Sequence, residues 1–177
     1  MARNGIFVTG TDTGVGKTQI AAALAGALHA KKINIAVRKP VESACPVVNG
    51  ELSSQDGELL RVASQTAENL HSICPYRFIA KASPARAAVL AQQSLALADL
   101  VKACQTRQNS FLIVEGAGGF LSPIARDGLN ADLIIKLKLP VVLVAADILG
   151  TINHILLNLE AMSARKVDCH AIVLNQL

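Results

Sequence analysis

Residues 10–18 (GTDTGVGKT) have the types and spacing expected of a loop that binds phosphate groups. An apolar run at 5–9 precedes them and an alanine-rich helical pattern follows, so the loop joins a predicted strand to a helix. Backbone N–H groups in such a loop, together with the positive end of the helix dipole, attract an anion. Lys17 adds a positive charge for terminal phosphates, and the hydroxyl of Thr18 is a potential metal ligand.

The spacing departs from the regular phosphate loop, G-x-x-x-x-G-K-[ST]. Counting back from Gly16 puts Thr11 where the first glycine should stand, and Gly10 lies one residue too early. Because the ending and the flanking elements fit, we interpret the segment as a variant phosphate loop. The alternative is a glycine-rich turn with a chance lysine.

Two charged residues end predicted strands, where ligands bind in parallel sheets. Lys39 stands directly before Pro40, and it is suited to neutralising charge on a transferred phosphoryl group. Glu115 ends the most apolar strand and, with Thr18, offers the hard oxygen ligands that Mg²⁺ prefers. Asp56 is a third candidate ligand, only loosely placed by its loop. The alternatives are that Lys39 is a solvated lysine at a strand end, that Glu115 is a helix-cap partner and that Asp56 is a surface acid.

Two further segments are weaker candidates. The glycine-rich run 116–119 is predicted to be a tight turn that brings its backbone close to a ligand. Gly150 and Thr151 open a long helix, whose free N–H groups form a second potential anion site. His154, one turn into that helix, is better explained as a packed or interfacial histidine than as a catalyst.

Strand and helix patterns alternate along the chain, which predicts an α/β fold with a mainly parallel sheet and the phosphate loop near its centre. The predicted strands are 5–9, 34–39, 111–115, 140–145 and 170–174. The predicted helices are 16–30, 53–63, 83–91, 95–106, 130–138 and 150–166. Segment 40–55 is predicted to be mainly loop, and 66–82 has no clear pattern. We predict a single ATP-binding domain over 1–177.

Composition narrows the classes of function. Apolar residues make up 51% of the chain, net charge is +4 and aromatic residues are only 3%, so a globular fold is expected and nucleic-acid binding is not. The least charged segments are too short to cross a membrane. The four cysteines lack metal-ligand spacing, and we expect unpaired thiols in a reducing cytoplasm. The N-terminus enters a strand at once, which leaves no room for a signal peptide.

With these motifs together, the chain resembles the dethiobiotin synthetases, a family of enzymes of biotin biosynthesis. The matching segments occur in family order over essentially the whole chain: FVTGTDTGVGKT (7–18), KPV (39–41), SP (83–84), VEGAGG (114–119), LPV (139–141), LGTINH (149–154) and VLN (173–175). The shifted loop glycine is itself a family trait. The resemblance implies a P-loop NTPase-like, three-layer α/β/α fold.

The resemblance also implies a reaction, two cofactors and an assembly. The family carboxylates 7,8-diaminononanoate with CO₂ and closes the ureido ring of dethiobiotin, using ATP and Mg²⁺ and releasing ADP and phosphate. It acts as a homodimer, and the start of the Gly150 helix of the partner subunit receives the substrate carboxylate.

Site roles carried over from the family fall into four groups. Nucleotide binding is implied for Thr13, Gly14, Val15, Gly16, Lys17, Thr18, Asp56, Glu115, Gly116, Ala117, Gly118 and Asn175, the last at the adenine. Stabilisation of the carbamate and the migrating phosphoryl group is implied for Lys39 and Lys17. Magnesium binding is implied for Thr18, Asp56 and Glu115. Substrate binding is implied for Ser43, Gly118, Gly150, Thr151 and Asn153.

The sequence departs from the family pattern in three places. Ala44 follows Ser43 where glycine is frequent, and Ala85 follows Pro84 where histidine is frequent. The chain stops at Leu177, so we expect the family's C-terminal segment to be lacking and strand 170–174 to be an exposed edge. Two alternatives stay open: a truncated, non-catalytic nucleotide-binding homologue, and another ATP-dependent ligase or partitioning-type ATPase. Segments 39–41 and 115–119 speak against the second.

Overall fold

The computed structural model describes residues 4–106 and 109–176, so the predicted domain limits at 1 and 177 lie outside the described residues. The strands are, in chain order, β1 (Gly5–Gly10), β2 (Ile35–Arg38), β3 (Val41–Glu42), β4 (Val47–Val48), β5 (Glu51–Leu52), β6 (Tyr76–Arg77), β7 (Phe111–Gly119), β8 (Pro123–Ala125), β9 (Gly128–Leu129), β10 (Val141–Ala146) and β11 (Cys169–Asn175). The helices are α1 (Lys17–Ala30), α2 (Gln55–Ser64), α3 (Leu70–Ile73), α4 (Pro84–Leu90), α5 (Leu97–Ala103), α6 (Asn130–Leu137) and α7 (Thr151–Ala164).

The central sheet confirms the predicted α/β architecture. Within the described residues it has five strands in the order β11-β10-β1-β7-β2, and every neighbouring pair is parallel. β1, which leads into the phosphate loop, is the middle strand, as predicted. Because the carboxyl ends of all these strands lie at one edge, the loops that follow them converge there.

Helices cover both faces of the sheet and make the three layers. Successive side chains of a strand point to opposite faces, so Phe7 and Val8 of β1 lie in different cores. Phe7 packs in the core that α4, α5, α6 and α7 share with the sheet. Val8 packs in the core shared with α1, α2 and α3. All six residues of β10 are buried, which explains its continuous apolar sequence.

The prediction of a tight turn at 116–119 is wrong, because β7 continues through these residues. The register shifts between Val8 and Gly10, and beyond the shift Gly10 pairs with Gly119. The side-chain amide nitrogen of Asn130 donates a hydrogen bond of 2.7 Å to the Gly119 carbonyl. The run of glycines therefore lets a strand bend and pack closely rather than end.

The predicted loop 40–55 contains short strands. β4 and β5 form an antiparallel hairpin, and β3 pairs in parallel with β6 from the segment that showed no pattern. Helix α5 begins at Leu97 instead of 95, because the Leu97 N–H donates to the Asp127 carboxylate at 2.7 Å. The Leu95 carbonyl instead accepts from the backbone N–H of Arg126 at 2.9 Å.

The predicted edge strand β11 is exposed within this chain, where Ile172 and Leu174 show 43% and 55% of their surface. The part of the chain that the structure describes contains no helix long and apolar enough to span a membrane.

Arg38 at the end of β2 ties three segments together. Its guanidinium donates to the Glu68 carboxylate at 2.5 Å and to the Gln105 carbonyl at 3.2 Å, and the side chain is almost fully buried. We expect Arg38→Met to lower the free energy of unfolding by about 2 kcal/mol, since charge-assisted hydrogen bonds are lost. Chemical denaturation measures this.

A matched control is Arg61→Met, which removes an exposed ion pair with Glu58 on α2. Exposed pairs contribute little, so its unfolding midpoint should equal that of the wild type. Equal destabilisation by both substitutions would contradict the role of Arg38.

Candidate functional site

A cavity of about 750 Å³ opens where the carboxyl ends of the central strands meet the phosphate loop. It brings together many of the residues singled out from the sequence: Thr13, Gly14, Gly16, Lys17, Thr18, Lys39, Ser43, Asp56, Glu115, Ala117 and Gly118. They come from segments far apart in the chain, as the topology predicts for this edge of the sheet.

The phosphate loop folds around the Lys17 side chain. Gly14 and Gly16 adopt left-handed conformations, with φ of 80° and 91°, which lets the backbone turn before α1 begins. The Lys17 ammonium donates to the Asp12 carbonyl at 2.7 Å across the loop. Burial, and then the nearby charge of Lys39, lowers the pKa of Lys17 to about 8. An anion in the cavity would therefore favour the charged form of Lys17 and bind tightly to it.

Lys39 lies between two carboxylates deep in the cavity. Its Nζ is 2.6 Å from Glu115 Oε1 and 2.7 Å from Asp56 Oδ2, and it also donates to the Gly116 carbonyl at 3.1 Å. Burial alone would lower the pKa of Lys39, but the charges of Glu115 and Asp56 raise it above its ordinary value. Lys39 is therefore a fixed positive charge at neutral pH.

Glu115 has one oxygen engaged and one oxygen available. Oε1 accepts from Lys39 and from the Thr18 hydroxyl, the latter at 2.8 Å. Oε2 is buried and has no hydrogen-bond partner among the residues that the structure describes. A buried carboxylate oxygen that has no hydrogen-bond partner and lies beside a hydroxyl is suited to binding a divalent cation such as Mg²⁺, which prefers oxygen ligands.

Asp56 lies in the first turn of α2, and its carboxylate contacts Lys39 beside Glu115. The sequence placed this residue only loosely. Burial alone would raise the pKa of Asp56, but the Lys39 ammonium and its hydrogen bonds lower it. Over residues 4–106 and 109–176, no group of three or more His, Cys, Asp and Glu side chains is arranged as a metal cage. Mg²⁺ commonly takes one or two carboxylates and completes its shell with waters and phosphate oxygens.

Ala117 and Gly118 form one wall of the cavity, and their strand is held by Asn130, which the sequence reasoning missed. The Asn130 amide nitrogen donates to the Ala117 carbonyl at 2.6 Å, and its oxygen accepts from the Ala117 N–H at 3.3 Å. The side chain is fully buried. The only signal in the sequence was an asparagine at the start of a predicted helix, which gives no indication of its partner.

Glu42 and Ser54 were not predicted as site residues either. Glu42 is buried at the cavity wall, and its carboxylate accepts a hydrogen bond from the Ser54 hydroxyl. Ser54 caps α2 by accepting from the Gly57 N–H at 2.8 Å. Burial, and then the charge of Asp56, raises the pKa of Glu42.

Asn175 lies against the phosphate loop instead of lining the cavity. Its side-chain nitrogen donates to the Val15 carbonyl at 3.1 Å and to Gln19 Oε1 at 3.3 Å. Gly150, Thr151 and Asn153 at the start of α7 do not line the cavity described by residues 4–106 and 109–176. Gly150 and Asn153 are exposed while Thr151 is buried, and Leu149 and Ile152 beside them are among the most exposed apolar side chains.

The contact between Asn175 and the loop leads to a prediction for Gly16. A Cβ on Gly16 would lie 2.0 Å from the Asn175 side-chain nitrogen, and φ is unfavourable for a side chain there. We expect Gly16→Ala to weaken nucleotide binding at least about tenfold, because the loop must shift and the hydrogen bond from Asn175 to the Val15 carbonyl must break. Calorimetric titration with ADP and magnesium measures this.

Gly50 provides the matched control, since its φ of 83° is similar and no atom lies within 4 Å of the added Cβ. Gly50→Ala introduces the same unfavourable φ without the clash, and it should bind nucleotide like the wild type. Unchanged nucleotide affinity in Gly16→Ala would contradict the role given to the loop conformation.

Comparisons with known proteins agree with the geometry. A family model described as "AAA domain" matches residues 4–177. A relative from Anaeromyxobacter dehalogenans, named ATP-dependent dethiobiotin synthetase BioD, is 45% identical over 97% of this chain and 76% of its own length. Relatives of the same name from Vesicomyosocius okutanii and Bacillus velezensis are 43% and 39% identical, over 98% and 96% of this chain and 79% and 72% of their own lengths.

Proposed function

Because this chain belongs to the family of ATP-dependent dethiobiotin synthetases, we propose that its phosphate-loop cavity carries out the family's reaction. An amine of 7,8-diaminononanoate takes up CO₂ as a carbamate, and ATP phosphorylates a carbamate oxygen. The second amine then attacks the carbonyl carbon and expels phosphate with that oxygen, which closes the ureido ring of dethiobiotin. The observation that carries this proposal is Lys39, buried between Asp56 and Glu115 in a cavity walled by the loop.

The loop residues and the two lysines act on the phosphates. Amides at 13–18 and Lys17 hold the β- and γ-phosphates. Lys39, a buried cation at the cavity floor, neutralises the charge of the carbamate and of the migrating phosphoryl group. The protein need not form a covalent bond to the substrate, because positioning and charge neutralisation lower the barrier to phosphoryl transfer.

Thr18, Asp56 and Glu115 are the proposed magnesium ligands, supported by the free Oε2 of Glu115. The bound ion would neutralise phosphate charge during transfer. Ser43 and the backbone of Ala117 and Gly118, which share the cavity with Lys39, are the proposed contacts of the diamine and its carbamate.

A homodimer is proposed to complete the site. Exposed apolar side chains surround the start of α7, including Ile148, Leu149, Ile152 and Leu156. Such a patch supports association with a second copy, which would bring Gly150, Thr151 and Asn153 of α7 to the substrate carboxylate. Asn175 remains the proposed adenine contact. We propose the cytoplasm as the compartment, which suits the buried thiols of Cys45 and Cys74.

The test is incorporation of labelled bicarbonate into dethiobiotin by the purified chain supplied with diaminononanoate, ATP and magnesium. We expect labelled product with one ADP released per ring closed. A chain that binds magnesium nucleotide but makes no product would overturn this function in favour of a non-catalytic homologue. Product from a different acceptor in a panel of amino acids and amines would point to another ATP-dependent ligase.

A further inference from the structure

Glu42 has a network of contacts that the proposed reaction leaves unexplained. It is the second residue of β3, its side chain is 8% exposed, and it lines the cavity three residues after Lys39. A carboxylate taken out of water in this way is unfavourable unless its oxygens are hydrogen-bonded.

The hydrogen bonds that the structure describes for the Glu42 carboxylate all come from the N-terminus of α2. Its Oε2 accepts from the Ser54 hydroxyl, and its Oε1 accepts from the backbone N–H groups of Gln55 and Asp56, at 3.1 and 3.5 Å. Ser54 in turn accepts from the Gly57 N–H. The first turn of the helix is thus capped by Ser54 and held against β3 by Glu42.

The same short segment, 39–42, holds Asp56 at two points. Lys39 contacts the Asp56 carboxylate at 2.7 Å, and Glu42 accepts from the Asp56 backbone N–H. We propose that Glu42 is a positioning residue: by accepting hydrogen bonds from the first turn of α2, it places the Asp56 carboxylate beside Lys39 and Glu115, where magnesium would bind. This inference rests on the proposed function, because Asp56 is a metal ligand only there.

Both carboxylate oxygens of Glu42 already accept hydrogen bonds from α2. Its role therefore depends on the position of these oxygens and not on a negative charge that contacts the substrate. Two variants separate these properties. Glu42→Asp keeps the charge but withdraws the oxygens by one methylene. Glu42→Gln keeps the reach: its carbonyl oxygen can accept from the two amides, and its NH₂ can donate to the Ser54 hydroxyl oxygen.

The experiment is a calorimetric titration with ADP, repeated at a series of magnesium concentrations. It gives the magnesium concentration at which the enhancement of ADP binding is half-maximal. We expect Glu42→Asp to raise that concentration about tenfold, as is typical when an outer-sphere support of a metal ligand is lost. Glu42→Gln should stay within about twofold of the wild type. Glu51→Asp, the same change at an exposed position of β5, serves as the control and should match the wild type.

Any other pattern overturns the inference. Glu42→Asp titrating like the wild type would make the hydrogen bonds irrelevant to magnesium, and Glu42→Gln failing as badly as Glu42→Asp would make the charge decisive. A wild-type chain that binds ADP without any magnesium effect would also overturn it. Dethiobiotin formation is assayed separately, so the absence of product with the expected magnesium pattern would refute only the proposed function.

Discussion

Replacing Lys39 with methionine should lower kcat for dethiobiotin formation by at least about a hundredfold, the loss typical of removing one group that stabilises developing charge. Lys39 is buried, and methionine keeps much of its volume while removing the ammonium. The substitution also leaves the Glu115 carboxylate buried without its closest counter-charge. We therefore expect the variant to be less stable as well, by about 3–5 kcal/mol, since breaking a buried pair leaves an uncompensated charge.

Steady-state kinetics and denaturant unfolding together measure both effects. The matched control is Lys136→Met, the same change at an exposed lysine of α6, which should leave kcat and stability unchanged. Assays at temperatures well below the variant's unfolding transition separate the loss of catalysis from the loss of folded protein. A folded Lys39→Met chain with wild-type kcat would remove Lys39 from the proposed mechanism.

The second large effect is expected for Glu115→Gln. The change is nearly isosteric, but it removes the negative charge that faces Lys39 and replaces the carboxylate pair of oxygens by one oxygen and one NH₂ group. We expect kcat at saturating ATP to fall at least about a hundredfold and the magnesium needed for half-maximal activity to rise, because a carboxylate ligand of the ion is lost.

Titration of activity against magnesium, with ATP in excess, provides the measurement. Glu51→Gln, at an exposed position far from the phosphate loop in sequence, should show the wild-type curve. If Glu115→Gln responded to magnesium like the wild type, the unpaired Oε2 would need a different explanation and Glu115 would not be a metal ligand.

The fold and the centre of the site could be predicted because their signals are local in sequence. Apolar runs that end in a polar residue indicate buried parallel strands, and parallel strands bring their carboxyl ends to one edge. Lys39 directly follows β2, and Glu115 ends the apolar run of β7 although the strand itself continues to Gly119, so their meeting beside the loop still followed from the parallel topology. The central position of β1 followed for the same reason.

The remaining parts of the site depend on contacts between segments that have no sequence pattern in common. Asp56 meets Lys39 from the first turn of α2, where Glu42 accepts hydrogen bonds from the backbone, and nothing in spacing or periodicity indicates this contact between Glu42 and α2. The glycines of 116–119 suggested a turn, but a pairing with β1 beyond a register shift and a buried Asn130 keep them in a strand. Such tertiary contacts override local preference.

The most direct test of the central claim, that ATP phosphorylates the carbamate in this cavity, follows the oxygen atoms of CO₂. The chain is given diaminononanoate, magnesium and ATP, with freshly dissolved CO₂ that carries heavy oxygen, and the released phosphate is analysed by mass spectrometry. We expect one heavy oxygen in each phosphate formed with dethiobiotin, because the carbamate oxygen leaves with the phosphoryl group. Phosphate with only ordinary oxygen would refute phosphorylation of the carbamate, since ATP would then have been cleaved by water.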